Sequence, residues 1–350
     1  MRAIALTPGV ANSARLLDCA EPAPSDGSIL VQSVALGVCG TDRDIIAGHY
    51  GTAPAGDDYL ILGHESLGVV MAAPRESGFA EGDHLVGIVR RPDPVPCPAC
   101  AAGEWDMCRN DLYTERGIKG RHGFGAERFR IEPQFAVRVA SSLGILGVLL
   151  EPATIAAKAW DHIERISLRS HSGRPHTVLV TGAGPIGLLA ALMGVQRGLE
   201  VHVLDRATGS VKPQLVGKLG ATYHAPTVAD VKLTVDVVIE CTGVASVIID
   251  ALGCVGPSGI LCLVGLPMHP HTTDIDVAER FRIMALHNQV VVGVVNANHS
   301  HYEQAARCLG EADHGWLAAL ITRRVSLAHW QNALRHQKGD IKTIIEFTPA

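Results

Sequence analysis

The sequence predicts an α/β protein with a compact, mostly-β first domain and a second domain built on a doubly wound parallel sheet. Up to about Glu151 the chain is rich in Gly, Pro and short β-like runs, which is typical of a β domain with long functional loops. Beyond Glu151, apolar runs alternate with helical segments, and this pattern predicts a parallel sheet covered on both faces. At 350 residues and 47% apolar, the chain is able to fill two cores.

The predicted elements follow from these patterns in order. The β-like runs of the first domain are residues 29–34, 68–71, 84–89 and 125–131. Residues 152–167 have helical spacing with few breakers. The apolar runs of the parallel sheet are residues 177–181, 201–205, 235–240, 260–265 and 290–295. Helices are expected at 302–311 and 327–336, and the alternating run 341–347 is expected to return to the first domain. The domains are therefore 1–150 and 151–295, with 296–350 completing the first.

Charge and composition exclude several classes of protein. A net charge of -5 gives no basic footprint for nucleic acid. The uncharged run 177–196 is broken by glycines and a proline, so it is interpreted as buried α/β structure and no membrane contact is expected. The N-terminal apolar run is too short for a signal peptide, so we expect a cytoplasmic protein with reduced cysteines.

A glycine-rich loop, TGAGPIG at residues 181–187, directly follows the first apolar run of the second domain. In a Gly-x-Gly-x-x-Gly loop, successive glycines allow a tight turn, close approach of the pyrophosphate, and helix–strand packing. The pyrophosphate would lie on amide groups at the start of the helix at 188–196. The dinucleotide contacts assigned to this loop are Gly182, Gly184, Pro185, Ile186 and Gly187. The alternative is an α/β turn that keeps its glycines for packing alone.

The second strand of this domain ends in Asp205, near the expected place for a carboxylate that binds the ribose hydroxyls. A carboxylate there repels a 2′-phosphate and favours NAD. Arg206 keeps NADP open, because a guanidinium accepts such a phosphate or stacks on adenine. Loops at the ends of later strands are expected to line the cofactor cleft; they contain Thr242, Gly243, Val264 and Gly265.

A thiolate, an imidazole and a carboxylate are the ligand set of a catalytic zinc with an open position, and the first domain offers Cys39, His64 and Glu65. Glu65 either ligates the metal or lies just outside it. Glu151, where the chain passes from one domain to the other, is the best candidate for a further ligand. Its alternative role is a helix N-terminal carboxylate that the dipole favours. A zinc site and a dinucleotide loop together indicate hydride transfer from an alcohol to a nicotinamide.

The chemistry of such a site also needs a path for the hydroxyl proton. Zinc lowers the pKa of the substrate hydroxyl towards neutrality. Thr41, two residues after Cys39, is placed to accept the proton and pass it on. Asp44 and His49 are candidate ends of that relay, and a solvated loop histidine is the equal alternative for His49.

A second metal is indicated by Cys97, Cys100 and Cys108, whose spacing is typical of a structural zinc loop. Three cysteines leave a tetrahedral site one ligand short, and Asp93 is the candidate for the fourth. The alternative is three free thiols in a metal-free lobe.

The chain resembles the zinc-containing medium-chain alcohol dehydrogenases over nearly its whole length. Its first domain resembles their GroES-like catalytic domain, and its second resembles their Rossmann nucleotide domain. Within that superfamily it is most similar to the archaeal-type glucose 1-dehydrogenases. The segments that carry this resemblance are GVCGTDRD at 37–44, GHESLGVV at 63–70, VRRP at 89–92, GF at 123–124, VLLEP at 148–152, GVVNAN at 293–298 and DIK at 340–342.

The resemblance implies a homotetramer or homodimer that oxidises the C1 hydroxyl of an aldose to a lactone. It implies sugar contacts from Glu115, Glu151 and Asn296, with Asn296 also near the cofactor. Two positions depart from the family pattern. Pro94 stands where the structural-zinc loop usually begins with cysteine, and Asp205 replaces the uncharged residue that often precedes arginine in NADP-using members.

Two alternative functions remain open at the level of sequence. The same scaffold could serve as a dehydrogenase of a polyol, an amino alcohol or a specialised metabolite. Only a panel of substrates separates this alternative from an aldose dehydrogenase, because pocket residues are scattered over three regions of the sequence. A non-catalytic nucleotide-binding protein is the remote alternative. The intact set Cys39, Thr41, His64, Glu65 and Glu151 speaks against it.

Overall fold

The chain forms two structural units. The computed structural model describes residues 1–171, 173–225, 227–228, 231–267 and 276–347. One unit comprises Met1–Thr154 together with Asn296–Ala350, and the other comprises Ile155–Val295. The first unit is therefore discontinuous in sequence, because the C-terminal segment joins the N-terminal one.

The strands are numbered in chain order: β1 (Arg2–Leu6), β2 (Arg15–Asp18), β3 (Ile29–Val38), β4 (Leu60–Ile61), β5 (Glu65–Ala72), β6 (His84–Gly87), β7 (Arg90–Arg91), β8 (Thr114–Arg116), β9 (Gly120–Arg121), β10 (Arg128–Ile131), β11 (Ala136–Val139), β12 (Thr177–Thr181), β13 (Glu200–Leu204), β14 (Thr222–His224), β15 (Val235–Glu240), β16 (Val255–Leu263), β17 (Val290–Gly293), β18 (Ile321–Ser326) and β19 (Lys342–Glu346).

The α-helices are α1 (Gly40–Ile46), α2 (Pro98–Ala101), α3 (Leu150–Ser167), α4 (Pro185–Gln196), α5 (Lys212–Lys218), α6 (Ala245–Leu252), α7 (Val277–Leu286), α8 (His299–Glu311), α9 (His314–Leu320) and α10 (Trp330–Leu334). Short 3-10 helices span Pro24–Asp26, Arg75–Ser77, Trp105–Met107, Pro133–Phe135, Ser141–Leu149 and Leu327–His329.

The main sheet of the first unit has the order β11-β6-β5-β3-β19-β18, and β10 also pairs with β3. Strand β3 is its centre. It alternates between buried and half-buried positions over its first six residues and is buried beyond them, as expected where both faces become covered. β19 returns from the C-terminus and pairs antiparallel with β3, so that Ile344 lies opposite Gly37. Two smaller sheets, β2-β1-β4 and β7-β8-β9, complete the unit.

The second unit contains a parallel sheet with the order β14-β13-β12-β15-β16-β17. Val180 of β12 pairs with Val203 on one side and with Ile239 on the other. Aliphatic residues from β12, β13, β15 and β16 form its core. This sheet contains the strands predicted for the second domain, and it adds β14, which the apolar pattern missed because the strand is short, polar and at the edge.

One helical segment, Ser141–Ser167, is long and apolar enough to cross a membrane on length and composition alone. Of its most apolar window, 72% is buried within the protein. A buried core helix passes the same test, so this segment is weak grounds for a membrane span.

Candidate active site

The structure brings Cys39, His64 and Glu65 together, with their ligand atoms all within 4.8 Å of one another. Strand pairing explains the convergence. β3 and β5 are antiparallel neighbours, and Gly37 lies opposite Glu65. Cys39 follows β3 at the start of α1, and His64 immediately precedes β5. Thiolate, imidazole and carboxylate at this spacing fit the donor set of a zinc ion.

Asp42 contacts both Cys39 and His64 and orients them, a role that the sequence did not predict. One oxygen, Oδ2, accepts the backbone N–H of Cys39 at 2.8 Å. The other, Oδ1, lies 3.4 Å from Nδ1 of His64. Burial disfavours a charged imidazole, but the Asp42 carboxylate outweighs it and holds the pKa of His64 well above its usual value. A carboxylate behind a ligand histidine fixes the ring and its tautomer.

Glu65 is held by Lys342, another residue that sequence reasoning left without a role. The Lys342 ammonium donates to both carboxylate oxygens, with Nζ 2.6 Å from Oε1. Both side chains are buried. Burial lowers the pKa of Lys342, but the charge and hydrogen bond of Glu65, together with the charges of Cys39 and Glu151, outweigh it and the net pKa is raised. Gly37 makes room, because a Cβ there would lie 1.9 Å from Oε2 of Glu65.

Glu151 is buried near the same cluster but is not one of the residues whose ligand atoms converge within 4.8 Å. Burial raises its pKa to about 7, and His64 and Glu65 are close enough for their charges to contribute. It lies in the first turn of α3, and the 3-10 helix Ser141–Leu149 runs directly into that turn.

The candidate relay residues lie on and after α1. The Thr41 hydroxyl is 3.9 Å from Sγ of Cys39, so it borders the cluster. Asp44 is half-buried, and its carbonyl accepts the backbone N–H of His49 at 3.0 Å. The His49 side chain is exposed, in keeping with the solvated alternative for this residue.

Two of the three residues expected to contact sugar, Glu115 and Asn296, are hydrogen-bonded to each other. Nδ2 of Asn296 lies 2.5 Å from Oε1 of Glu115. The same oxygen accepts Nε and Nη2 of the buried Arg90, at 3.1 and 3.0 Å. Arg90 in turn stacks on Tyr113, with Cζ 3.6 Å from the ring centroid. Arg90 was not predicted, although it belongs to the VRRP segment that the sequence singled out.

Cys97, Cys100 and Cys108 also converge within 4.8 Å. The backbone N–H of Arg109 donates to Sγ of Cys97, and such donors lower the pKa of that thiol to about 7. Contrary to expectation, Asp93 does not join this group among the described residues. Its carboxylate accepts instead from the Val95 backbone at 2.8 Å and from Asn110 Nδ2 at 2.7 Å, because the intervening chain turns back on it.

The glycine-rich turn of the second unit runs from the end of β12 into α4. Gly182 has a φ of +92°, and a Cβ on Gly187 would lie 1.8 Å from the Gly182 carbonyl oxygen. The space beside Gly184 is open to at least 4 Å. α4 begins at Pro185, and Ile186 lies in its first turn. A tight turn with open space at a helix N-terminus fits a pyrophosphate.

Asp205 follows β13 beside this turn. Its Oδ2 accepts the backbone N–H of Ala183 at 2.8 Å and lies 3.0 Å from Nζ of Lys212. Burial raises the pKa of Asp205, but the amides of Ala207 and Ala183, together with Lys212, lower it overall. Arg206 is exposed.

The later loops lie at the same edge of the sheet. Thr242 and Gly243 follow β15, and Val264 and Gly265 follow β16. They pack closely, because a Cβ on Gly265 would lie 2.1 Å from the Gly243 nitrogen. Ligands of doubly wound sheets bind at this carboxyl edge.

Comparison with known proteins identifies the family. The family profile described as "Glucose dehydrogenase C-terminus" matches residues 144–347, and "Alcohol dehydrogenase GroES-like domain" matches residues 25–141. The chain is 38% identical to a glucose 1-dehydrogenase of Methanocella arvoryzae and 37% identical to one of Thermoproteus tenax, covering 99% of both chains in each case.

A solved structure supports the same family assignment. Haloferax mediterranei glucose dehydrogenase in complex with NADP, Zn and gluconolactone matches with a TM-score of 0.90 and 32% identity, over 100% of both chains. The first unit thus has the fold of a GroES-like alcohol dehydrogenase domain, and the second that of a Rossmann domain. The chain belongs to the glucose dehydrogenase family within the alcohol dehydrogenases.

Proposed function

We propose that the protein is a zinc-dependent dehydrogenase that oxidises the C1 hydroxyl of an aldose, with D-glucose as the first candidate, to an aldonolactone. The observation that carries this proposal is that one structural unit holds both the Cys39–His64–Glu65 cluster and the hydrogen-bonded pair Glu115–Asn296. The names of the relatives, and the gluconolactone complex of the Haloferax enzyme, support glucose.

Cys39, His64 and Glu65 would hold the catalytic zinc, with Glu151 as a neighbouring carboxylate able to ligate it or bind the sugar. When bound, the ion would lower the pKa of the substrate hydroxyl so that the hydride leaves carbon for the nicotinamide. Asp42 keeps the His64 ring oriented. Since Lys342 engages both oxygens of Glu65, we propose Cys39 and His64 as the firmer ligands and Glu65 as the conditional one.

Thr41 is the proposed first acceptor of the hydroxyl proton, because its own hydroxyl borders Cys39. Asp44 follows it on α1 and His49 lies beyond the end of that helix; they would lead the proton towards solvent, since His49 is exposed. Proton transfer by a positioned hydroxyl requires that a further acceptor takes its proton in turn.

Glu115 and Asn296 would bind sugar hydroxyls. A polyhydroxylated substrate needs a partner for each hydroxyl that it buries, and a site built this way rejects analogues that lack one. Arg90 holds the Glu115 carboxylate in place through Oε1. This arrangement leaves Glu115 as a fixed acceptor beside an amide that offers both a donor and an acceptor.

The proposed cofactor is NAD, with NADP also accepted. Gly182, Gly184, Pro185, Ile186 and Gly187 would bind the pyrophosphate, and Asp205 the ribose hydroxyls. Thr242, Gly243, Val264 and Gly265 would line the nicotinamide half, and Asn296 is proposed as a further cofactor contact. Lys212 and Arg206 are the cations that would permit a 2′-phosphate.

A structural zinc on Cys97, Cys100 and Cys108 is a separate proposal. The three thiols converge, but the Asp93 carboxylate is committed to Val95 and Asn110. Zinc content tests it: two ions per chain would support both sites. One ion per chain that is absent from Cys39→Ser would contradict the proposed structural zinc site.

We also propose a cytoplasmic homo-oligomer, either a homodimer or a homotetramer, with a catalytic domain at 1–150 and 296–350 and a nucleotide domain at 151–295. β17 is the last strand in the sheet order of the second unit, and four apolar side chains on and near it are exposed: Phe281, Leu286, Val291 and Val295. Exposed apolar residues at an open edge favour association. Light scattering of the purified protein measures the subunit count.

Initial rates test the function directly. Zinc-replete enzyme would be given NAD or NADP with glucose, galactose, xylose, sorbitol, threonine and a simple secondary alcohol. Turnover of an aldose with little activity on the others is the expected result. No activity on any sugar, together with turnover of sorbitol, threonine or the alcohol, would show that the proposed substrate is wrong. The assignment as a dehydrogenase would stand.

A further inference from the structure

Glu240 is a buried carboxylate in the middle of the parallel sheet of the second unit. It is the last residue of β15, which lies between β12 and β16, and it is 0% exposed. A charge in such a place is costly unless several hydrogen bonds satisfy it. Neither the glycine-rich motif nor the metal clusters involve this residue, so its burial calls for a separate explanation.

The hydrogen bonds of the Glu240 side chain all run to residues at the carboxyl edge of the sheet. Oε1 accepts the backbone N–H of Thr242 at 2.7 Å, the Thr242 hydroxyl, and the Thr181 hydroxyl at 3.3 Å. Oε2 accepts the backbone N–H of Gly243 at 3.1 Å. The carboxylate thereby links the loop after β15 to the last residue of β12.

The main chain of Glu240 reaches a third loop. Its carbonyl oxygen accepts the backbone N–H groups of Val264 and Gly265, both at 2.8 Å. Glu240 therefore contacts the residue that precedes the glycine-rich turn, the loop after β15 and the turn after β16. In doubly wound sheets these carboxyl ends surround the dinucleotide.

We propose that Glu240 is a positioning residue for the nicotinamide cofactor: its carboxylate fixes Thr242–Gly243 against the end of β12, so that the cofactor meets preformed loops. The inference rests on the proposed dehydrogenase function. Preformed loops strengthen binding because they lose little conformational entropy when the cofactor binds. Glu240 acts through Thr242 and Gly243 and is not assigned a chemical step.

A carboxylate, rather than any polar group of this size, is required by the donors around it. Glu240→Gln keeps the shape but converts one oxygen to an NH2 group. If the NH2 group takes the place of Oε1, it faces the backbone N–H of Thr242. If it takes the place of Oε2, it faces the backbone N–H of Gly243. The substitution therefore removes an acceptor that no neighbour replaces, and the loop is expected to loosen.

The same strand supplies a matched control. Asp236, at the other end of β15, accepts through Oδ2 from the backbone N–H groups of His176 and Thr177 and from the Thr177 hydroxyl, at 2.7, 3.0 and 3.1 Å. It joins β15 to β12 as Glu240 does, but at the amino edge of the sheet. Asp236→Asn is thus a comparable loss of a carboxylate away from the cofactor loops.

The experiment measures the dissociation constants of NADH and NADPH by fluorescence titration of the zinc-loaded full-length enzyme, with the unfolding temperature of each variant. Glu240→Gln is expected to weaken binding of the preferred dinucleotide by about tenfold, the size of one lost buried hydrogen bond. It is also expected to raise the KM for the cofactor while kcat at saturating cofactor stays within about twofold. Asp236→Asn is expected to lower the unfolding temperature and leave the dissociation constant unchanged.

Thr181→Val keeps the proposal testable if Glu240→Gln does not fold. It removes the Thr181 hydroxyl donor at similar volume, and a smaller weakening of binding, about threefold, is expected. Unchanged binding in whichever of these two variants folds, or equal weakening by Asp236→Asn, would overturn the proposal. Failure of the unmodified enzyme to bind either dinucleotide would instead overturn the proposed function, and this inference with it.

Discussion

The carboxylate of Glu65 and the ammonium group of Lys342 form a buried ion pair at the edge of the candidate zinc site. The two residues are far apart in sequence, and they meet because β3 pairs with β5 on one side and with β19 on the other. The C-terminal strand thus supplies the countercharge for a residue of the GHE motif. Both oxygens of this carboxylate accept from the ammonium group, so a metal at this site would compete with Lys342 for them.

Lys342→Met tests this pair. Removing the ammonium group leaves the Glu65 charge buried and unpaired, and the free energy of unfolding is expected to fall by roughly 3–5 kcal/mol. Denaturant unfolding measures it. The double variant Glu65→Gln/Lys342→Met removes both charges and is expected to recover part of the loss. A double variant less stable than Lys342→Met would contradict the ion-pair interpretation.

Cys39→Ser tests the catalytic metal. Loss of the thiolate should release zinc from this site and lower turnover by at least about 100-fold, because metal-assisted charge stabilisation is worth several kcal/mol. Elemental analysis and initial rates measure both effects, and dinucleotide binding should persist. Cys19→Ser is the control, since Cys19 lies outside both cysteine-containing clusters. Full activity in Cys39→Ser would exclude the assigned site.

Asn296→Gly separates the two roles given to Asn296. The native φ is +63°, which glycine adopts freely, so the variant removes the side chain without backbone strain. We expect the KM for the sugar to rise about tenfold through the lost hydrogen bonds, with the dissociation constant of the dinucleotide unchanged. Asn12→Gly, at a φ of +57°, is the matched control. Weaker dinucleotide binding with an unchanged sugar KM would assign Asn296 to the cofactor instead.

Asp205→Ala tests cofactor choice. The substitution removes the carboxylate that repels a 2′-phosphate and frees the ammonium group of Lys212. The ratio of kcat/KM for NADP to that for NAD is therefore expected to rise at least about tenfold. Adding Lys212→Met to this variant should reverse much of the gain. An unchanged ratio in Asp205→Ala would show that other residues set the preference.

The pair His202–His224 predicts a pH dependence of stability. Nδ1 of His202 lies 2.9 Å from Nε2 of His224, and burial, together with His202, lowers the pKa of His224 below its usual value. The unfolded chain therefore binds a proton at a higher pH than the folded one. The stability that the neutral His224 contributes is fully present above the usual histidine pKa. It is lost progressively as the pH falls from that value through the pKa of His224 in the folded protein.

Unfolding temperatures between pH 7 and pH 5 measure the effect, taking the usual histidine pKa as about 6.5. His224→Gln should lose less stability over this interval than the unmodified protein. His336→Gln serves as a control at an exposed histidine. If the unfolding temperature changes equally with pH in the unmodified protein and in His224→Gln, then the titration of His224 does not affect folding stability.

Local patterns in the sequence were sufficient to predict five of the six strands in the parallel sheet of the second unit. The runs 177–181 and 235–240 coincide with β12 and β15, because continuous apolar stretches between helices have few alternatives to a buried parallel strand. β14 escaped prediction, since a three-residue polar edge strand has no periodic pattern. The Cys39–His64–Glu65 and Cys97–Cys100–Cys108 clusters were also predictable, because their residue types and spacing are those of metal ligands.

Tertiary structure alone decided which polar groups meet across long separations in sequence. Asp42 beside His64, Lys342 on Glu65, Arg90 on Glu115 and Glu240 on Thr181 all depend on strand register and on the depth of burial. It also turned Asp93 towards Val95 and Asn110. Motifs record which ligand chemistry is present. The partners of a buried charge depend on packing, because a charge removed from water must find its countercharge or hydrogen bonds wherever the fold places them.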